Sequence, residues 1–262
     1  MKKTILITGS TDGIGLLAAK QLVDKGQNVL LHGRSRKKLD EALSSVGGNA
    51  EVYQADLSSI AETNRLAQEV TAKHKKIDVL INNAGVLKAP DTQVENGLDV
   101  RFVVNTLAPY QLTKKLLPQM PADGRIINLS SAAQARVDLN AMAGKVQLDD
   151  MQAYSQSKLA ITIWSQVLAS ELPNGPVVIA VNPGSLLGTN MVKEGFGIEG
   201  KDVNIGASLL VSMALDESYS RATGRYFDND AGEFGEPDAA ALDASHSSGV
   251  MASIKDILAS LN

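Results

Sequence analysis

The chain has 262 residues, with 25 Lys+Arg against 29 Asp+Glu and a formal net charge of −4. At 44% hydrophobic and 21% charged it is too apolar for disorder and long enough to bury a large core, in one or two domains. The absence of cysteine excludes a disulfide scaffold, thiolate metal sites and cysteine catalysis, and the mildly acidic balance offers nothing to nucleic acid or an anionic membrane.

The N-terminus leads straight into a short apolar run, 4–7, far too short for a signal segment or a span of ~20 residues. The expectation is a cytoplasmic chain with no membrane anchor. Apolar runs at 5–8, 29–31, 52–54, 79–82, 126–129 and 177–181 read as strands covered on both faces. Between them the spacing predicts helices over 14–25, 37–46, 59–73, 96–117 and 152–172, the first two stopped by Gly26 and Gly47. Strand and helix in alternation imply parallel strands joined by right-handed crossovers, hence a doubly wound α/β sheet with helices on both faces. After Pro183 come a Gly-rich stretch, 184–200, a helix near 204–215 and a last strand at 225–228. Residues 228–243 hold six acids and no Lys or Arg, which reads as a solvated loop and helix start. No linker is visible, so 1–262 is read as a single domain, with a cofactor-binding half of about 1–125 and a catalytic and substrate half of about 126–262.

The first strand runs into Thr8-Gly9-Ser10-Thr11-Asp12-Gly13-Ile14-Gly15, and a helix follows. Glycines let the backbone turn tightly against a pyrophosphate, whose charge a helix N-terminus favours. Gly195-Phe196-Gly197-Ile198-Glu199-Gly200 matches the common G-x-G-x-x-G fingerprint, but no strand precedes it, and it reads as a mobile loop. The sequon Asn128-Leu129-Ser130 falls inside a predicted buried strand. The second strand ends at His32-Gly33-Arg34-Ser35-Arg36, where an NAD site places an acid. No acid stands there, so Arg34, with Arg36 as helper, points to the 2′-phosphate of NADP(H); NAD(H) stays open as an alternative. Three scattered histidines, His32, His74 and His246, suggest no metal site.

Tyr154 and Lys158 stand four apart in a predicted helix, on one face. A lysine cation there favours the phenolate, so the tyrosine pKa is expected to fall from ~10 toward working pH. Thr8–Gly15, Asn82-Asn83-Ala84-Gly85, Asn105, Ser131, Tyr154 with Lys158, and Pro183-Gly184 occur in order at the ends of successive elements. Together they resemble the short-chain dehydrogenase/reductase family, over roughly residues 4–228.

The resemblance implies a Rossmann-type fold and hydride transfer between a nicotinamide and a carbonyl or alcohol. It makes Tyr154 the general acid/base, with Lys158 lowering its pKa and holding the nicotinamide ribose. Ser131 would orient the substrate carbonyl, and Asn105 would support a water-linked proton relay to Lys158. Gly9, Ser10, Thr11, Asp12, Gly13, Ile14 and Gly15 would cradle the cofactor phosphates. Asp56 and Leu57 would border its adenine; Asn82, Ala84, Gly85, Pro183 and Gly184 would line the rest of its site. Ser130 adjoins Ser131 on the opposite face of the strand, and the family pattern selects Ser131.

Ser131 precedes Tyr154 by 23 positions, a longer gap than most members show. The implied insertion, 135–150, resembles the retinol dehydrogenase subgroup. A substrate lid is expected from 185–201, with Leu186, Leu187, Met191 and Phe196 either lining it for an apolar substrate or packing the loop down. Family members pair through the fourth and fifth helices into homodimers or homotetramers; the insertion could block that surface, which leaves a monomer open. Two alternative readings are a non-catalytic NADP-binding sensor and a redox-neutral epimerase or dehydratase on the same fold.

Overall fold

The computed structural model describes residues 2–261; positions 1 and 262, which bound the single domain read from the sequence, and the side chain of residue 95 lie outside the described residues. Eight strands form one sheet: β1 (Thr4–Ile7), β2 (Asn28–Gly33), β3 (Ala50–Gln54), β4 (Val79–Asn82), β5 (Arg125–Leu129), β6 (Val177–Asn182), β7 (Tyr226–Asp228) and β8 (Glu233–Gly235). Their order is β3-β2-β1-β4-β5-β6-β7-β8, parallel throughout except that β8 closes the edge antiparallel to β7. Strand order reverses beside β1, so the crevice between the carboxyl ends of β1 and β4 is the topological switch point.

Alternation along β1 explains the layers. Ile5 and Ile7 join a core with α1 (Gly13–Asp24), α2 (Arg36–Val46) and α9 (Asn204–Leu215), while Leu6 joins the opposite core. That second core is capped by α3 (Ile60–Lys73), α5 (Ala108–Leu116) and α7 (Asp150–Glu171). The doubly wound sheet expected from the sequence is therefore present.

Several boundaries differ. The helix expected over 96–117 begins only at α4 (Val100–Phe102), because Asn96 and Gly97 take positive φ of 66° and 73° and turn the chain. A π-helical turn at Val103–Leu107 then links α4 to α5. The insertion carries a short helix, α6 (Leu139–Met142), and the Gly-rich stretch carries α8 (Asn190–Phe196). The acidic stretch 228–243 is largely exposed and starts a helix, α10 (Ala239–Leu242), as expected, but it also holds the unexpected β8. Beyond it α11 (Ala244–Leu261) sets Val250, Ile254 and Leu258 into the core with Trp164 and Leu168 of α7, so part of the α7 surface is covered by the chain's own C-terminal helix.

Candidate active site

The glycine turn leaves β1 at Thr8, whose hydroxyl accepts from Asn83 N at 3.0 Å and Ala84 N at 3.1 Å, binding the ends of β1 and β4 together. Gly9 has φ 64°, and a methyl there would lie 2.8 Å from the Ala84 Cα; the chain segments approach this closely because Gly9 has no side chain. Gly15 serves packing of the same kind, since an added Cβ would stand 2.5 Å from the Gly9 carbonyl oxygen. Ser10 is fully buried and bonds the His32 backbone. His32 completes the turn: its Nδ1 accepts from Gly9 N at 3.1 Å and its Nε2 donates to Ala55 O at 3.1 Å. Burial holds its pKa down at about 4, so the ring is neutral and able to accept. Sequence reasoning passed over this residue as a lone histidine.

Helix α1 starts at this turn without a side-chain cap and without an acid in its first turn, leaving its N-terminal N–H groups free for an anion. Asp12 instead accepts from Asn190 Nδ2 at 2.7 Å, joining the turn to α8 across the crevice. The crevice opens into a cleft of about 720 Å³ lined by Gly9, Thr11, Asp12, Gly13 and Ile14. At one end it reaches Arg34, Ser35 and Lys38, with Asp56 and Leu57 alongside. Arg36 does not line it but pairs with Asp40 at 2.9 Å, so Lys38 takes the place expected for Arg36.

At the other end the cleft reaches Tyr154, Lys158 and Pro183. Arg101, 1% exposed, ties α4 to this region by ion pairs to Asp99 and to Asp150 in the first turn of α7. Four residues on, Tyr154 is half-buried with the Ser131 hydroxyl in hydrogen-bonding reach, while Lys158 Nζ lies 5.5 Å from the ring centre. Lys158 Nζ donates to Leu129 O at 2.7 Å, and burial brings its pKa down to about 8. The expected fall of the Tyr154 pKa is not found in the free chain. Burial pushes the phenol up, and the Ser131 hydroxyl is the group that opposes this.

The adjacent serines divide as alternation demands. Ser130 is 3% exposed, and its Oγ is occupied by Lys158 O at 3.0 Å and Thr162 Oγ1 at 2.7 Å. Ser131 is the serine whose hydroxyl acts on Tyr154, and its Oγ accepts from Ala133 N at 3.1 Å; Ser130 is the one of the two that lines the cleft.

Other expected residues stand elsewhere. Asn82 is buried, its Nδ2 donating to Thr113 Oγ1 at 3.1 Å and to Asn128 Oδ1 at 2.7 Å; the neighbour that borders the cleft is Asn83. Asn128, in the sequon, also donates to Ser165 and is fully buried. Asn105 lies in the π-helical turn with its amide taken by Val86 N at 2.8 Å, Val86 O at 2.9 Å and Ser157 Oγ at 3.0 Å. It fixes the wall beside Lys158: a methyl on Gly85 would sit 3.4 Å from Asn105 Oδ1 and 3.5 Å from Lys158 Nζ. Gly184, at φ 122°, turns the chain after Pro183.

Of the four lid residues Met191 alone borders the cleft. Leu187 is 2% exposed and packs toward Gly206 and Gly184, while Leu186 and Phe196 are exposed to solvent. The reason is the backbone at Leu186, whose φ of 56° turns the loop and exchanges its faces. Thr189, Asn190 and Glu194 supply the rest of the lid's contribution. The decoy stretch 195–200 lines none of the cleft. Among the described residues no group of three or more His, Asp or Glu could hold a metal, and no helix is long and apolar enough to cross a membrane.

A glycine turn at the switch point, opposite a tyrosine and a lysine at the same sheet edge, is the organisation of Rossmann-type dinucleotide-dependent oxidoreductases. The family model for short chain dehydrogenase matches residues 3–197, and the chain belongs to the short-chain dehydrogenase/reductase family, whose members are NAD(P)-dependent dehydrogenases and reductases. It is 30% identical to human retinol dehydrogenase 13 over 258 residues, covering 86% of this chain and 76% of that one. It is 36% identical to the short-chain dehydrogenase chyC of Penicillium rubens over 229 residues, 85% of each chain. Among solved structures, an uncharacterized protein from Mycobacterium Paratuberculosis superposes with a TM-score of 0.81 at 26% identity, over 97% of this chain and 92% of that one. A short chain dehydrogenase from Burkholderia cenocepacia in complex with NADP superposes at 0.70 with 25% identity, over 86% and 95%.

Proposed function

We propose that the chain is an NADP(H)-preferring oxidoreductase that moves hydride between the nicotinamide and a carbonyl or alcohol carbon, with Tyr154 as general acid/base. The observation that carries the reading is the cleft itself: one continuous opening joins Arg34 and Lys38 to Tyr154 and Lys158. The residues fit a dinucleotide. An uncapped helix N-terminus and the glycine turn suit the diphosphate, and Arg34 and Ser35 on an acid-free loop, with Lys38 in the first turn of α2, suit a 2′-phosphate. Asp56 and Leu57 border the adenosine end, and Gly85, Pro183 and Lys158 the nicotinamide end. In this reading residues 1–125 mainly bind the cofactor and 126–262 mainly supply chemistry and substrate contacts, although Pro183 serves the first task.

When bound, the cofactor gives or takes the hydride. The chain handles the proton. With its pKa raised by burial, the Tyr154 phenol of the free protein is protonated at neutral pH, the state needed to donate to a carbonyl oxygen during reduction. The Ser131 hydroxyl beside it holds that oxygen. Lys158, with a pKa of about 8, is mainly cationic at neutral pH and stabilises the phenolate left behind. The lid presents Met191, the loop after β4 Leu87 and Val94, and the π-helical turn Val104 to the cleft, which suits an apolar substrate.

The test is a panel of carbonyls and alcohols with NADPH and with NADH, run on the chain and on Tyr154→Phe. NADPH should be consumed one for one with carbonyl, in preference to NADH. Tyr154→Phe should bind NADPH normally and lose at least about 100-fold in turnover. Cofactor binding without turnover of any compound would favour a sensor, and turnover without net cofactor consumption an epimerase or dehydratase.

A further inference from the structure

The chemistry above makes no use of Gln134, Tyr226 or the acidic stretch 228–243, yet all converge on the loop that carries Ser131. The Ser131 carbonyl oxygen accepts twice, from the Tyr226 hydroxyl at 3.0 Å and from Gln134 Nε2 at 2.8 Å. Both lone pairs of that oxygen are thereby used, which fixes the plane of the peptide. Tyr226 is 5% exposed on β7, between β6 and the antiparallel β8. Gln134 is anchored in turn, its Oε1 accepting from Asp238 N at 3.2 Å, at the residue that caps α10.

Two more ties hold the same loop. Arg136 pairs with Asp243 at 3.0 Å, and Val137 N donates to His246 Nε2 at 3.2 Å. Residues 131–137 are thus stapled from four sides by residues 226–246. The acids of that stretch are mostly engaged: Asp228 and Asp230 hold Asn182, and Asp230 also holds Ser185 N at 2.9 Å, at the base of the lid.

We propose that Tyr226 and Gln134 are positioning residues, which by sharing the Ser131 carbonyl fix the peptide from which the Ser131 hydroxyl reaches the Tyr154 phenol. The inference rests on the reading of Tyr154 given above. The groups facing Tyr154 are the Ser131 hydroxyl and the Lys158 ammonium; those facing Tyr226 are Gln134, Asp228 and Asp230. Burial and the charge of Asp228 push the Tyr226 phenol well above its ordinary range, so it remains a donor at any working pH. Loss of one donor leaves that carbonyl on a single hydrogen bond, and the Ser131 hydroxyl, whose Oγ accepts from Ala133 N at 3.1 Å within the same loop, gains freedom relative to Tyr154.

The test uses Tyr226→Phe, which removes one oxygen, and Gln134→Leu, at a half-buried loop site. The protein is prepared with ring-labelled tyrosine, and the Tyr154 NMR signal is assigned with Tyr154→Phe and referenced to Ser131→Ala. In both variants the Tyr154 signal should move toward its Ser131→Ala position at neutral pH. Turnover should fall on the order of 10-fold at unchanged NADPH dissociation constant. A Tyr154 signal that stays at its wild-type position in either folded variant overturns the proposal, whatever happens to thermal stability. If the signal moves while the unmodified chain turns over nothing on the panel, the positioning stands and the dehydrogenase reading falls.

Discussion

At the glycine turn the chain presents backbone, and Thr8, Ser10 and His32 serve to hold that backbone still; at the other end of the same cleft it presents side chains, and a buried lysine among them. His32 and Lys158 show the contrast most directly. Both are under 5% exposed, and burial lowers both pKa values. His32 responds by being neutral, which is the form that accepts from Gly9 N–H. Lys158 stays mainly charged, donating to Leu129 O, so the fold bears the cost of a cation it does not need for its own integrity. Stability and function coincide at the phosphate end and oppose each other at the chemical end.

The largest effect should therefore come from Lys158→Met, with opposite signs in two assays. Turnover should fall at least about 100-fold. Stability should rise, by up to about 3 kcal/mol at neutral pH if the whole desolvation cost is recovered, less the hydrogen bond lost at Leu129. The sign with pH is fixed. A lysine whose folded pKa lies below its ordinary value destabilises fully below about pH 8, and the penalty fades as pH rises toward 10.5. Denaturant melts of the two proteins should thus separate at pH 7 and converge at alkaline pH; a variant less stable at pH 7 would break the contrast.

Arg34→Ala tests the phosphate end with a smaller effect. Arg34 is exposed, and its carbonyl accepts from Gln54 Nε2 at 3.1 Å, a bond that the substitution leaves in place. NADPH affinity should weaken roughly 10- to 100-fold while NADH affinity stays put. Equal loss for both cofactors would mean that Arg34 shapes the loop rather than reading the 2′-phosphate.

The same contrast governs what could be read from the chain. Gly9, Gly13 and Gly15 are legible because backbone geometry restricts the residue type: a Cβ at Gly9 or Gly15 meets backbone under 3 Å away. Tyr154 and Lys158 are legible because helix spacing puts them on one face. Asn82 could not be told from Asn83, since both sit at a strand end and only the paired strand β5, offering Asn128, draws the first inward. The lid fails for a related reason. Leu187 and Met191 have similar composition, and their faces are set by a positive φ at Leu186, a residue type that gives no warning of it. The break at Asn96 differs, because Asn-Gly is itself a turn signal, one that the helical spacing around it outweighed in the reading. The C-terminal helix did leave a signal, in Val250, Ile254 and Leu258 at intervals of four, but serine and alanine between them weaken it.

The smallest effect, and the finest test of how the phosphate end is built, lies in His32. Its folded pKa of about 4 lies below the ordinary 6.5, so the unfolded chain binds its proton first. The stabilisation is fully present above pH 6.5 and is lost as pH falls toward 4, to an extent of about 2 kcal/mol at pH 5. His32→Leu removes the titrating group and with it the acceptor for Gly9 N–H and the donor to Ala55 O. The variant should be less stable than the parent at pH 7, and the gap should narrow by about 2 kcal/mol at pH 5. NADPH should bind it several-fold more weakly, because the Gly9 N–H and the turn it belongs to lose their anchor. A gap of the same size at both pH values would mean that the ring acts by packing alone. The glycine turn would then owe its shape to Thr8 and Ala84, and the division between a backbone-built end and a side-chain-built end would rest on the glycines rather than on the histidine beneath them.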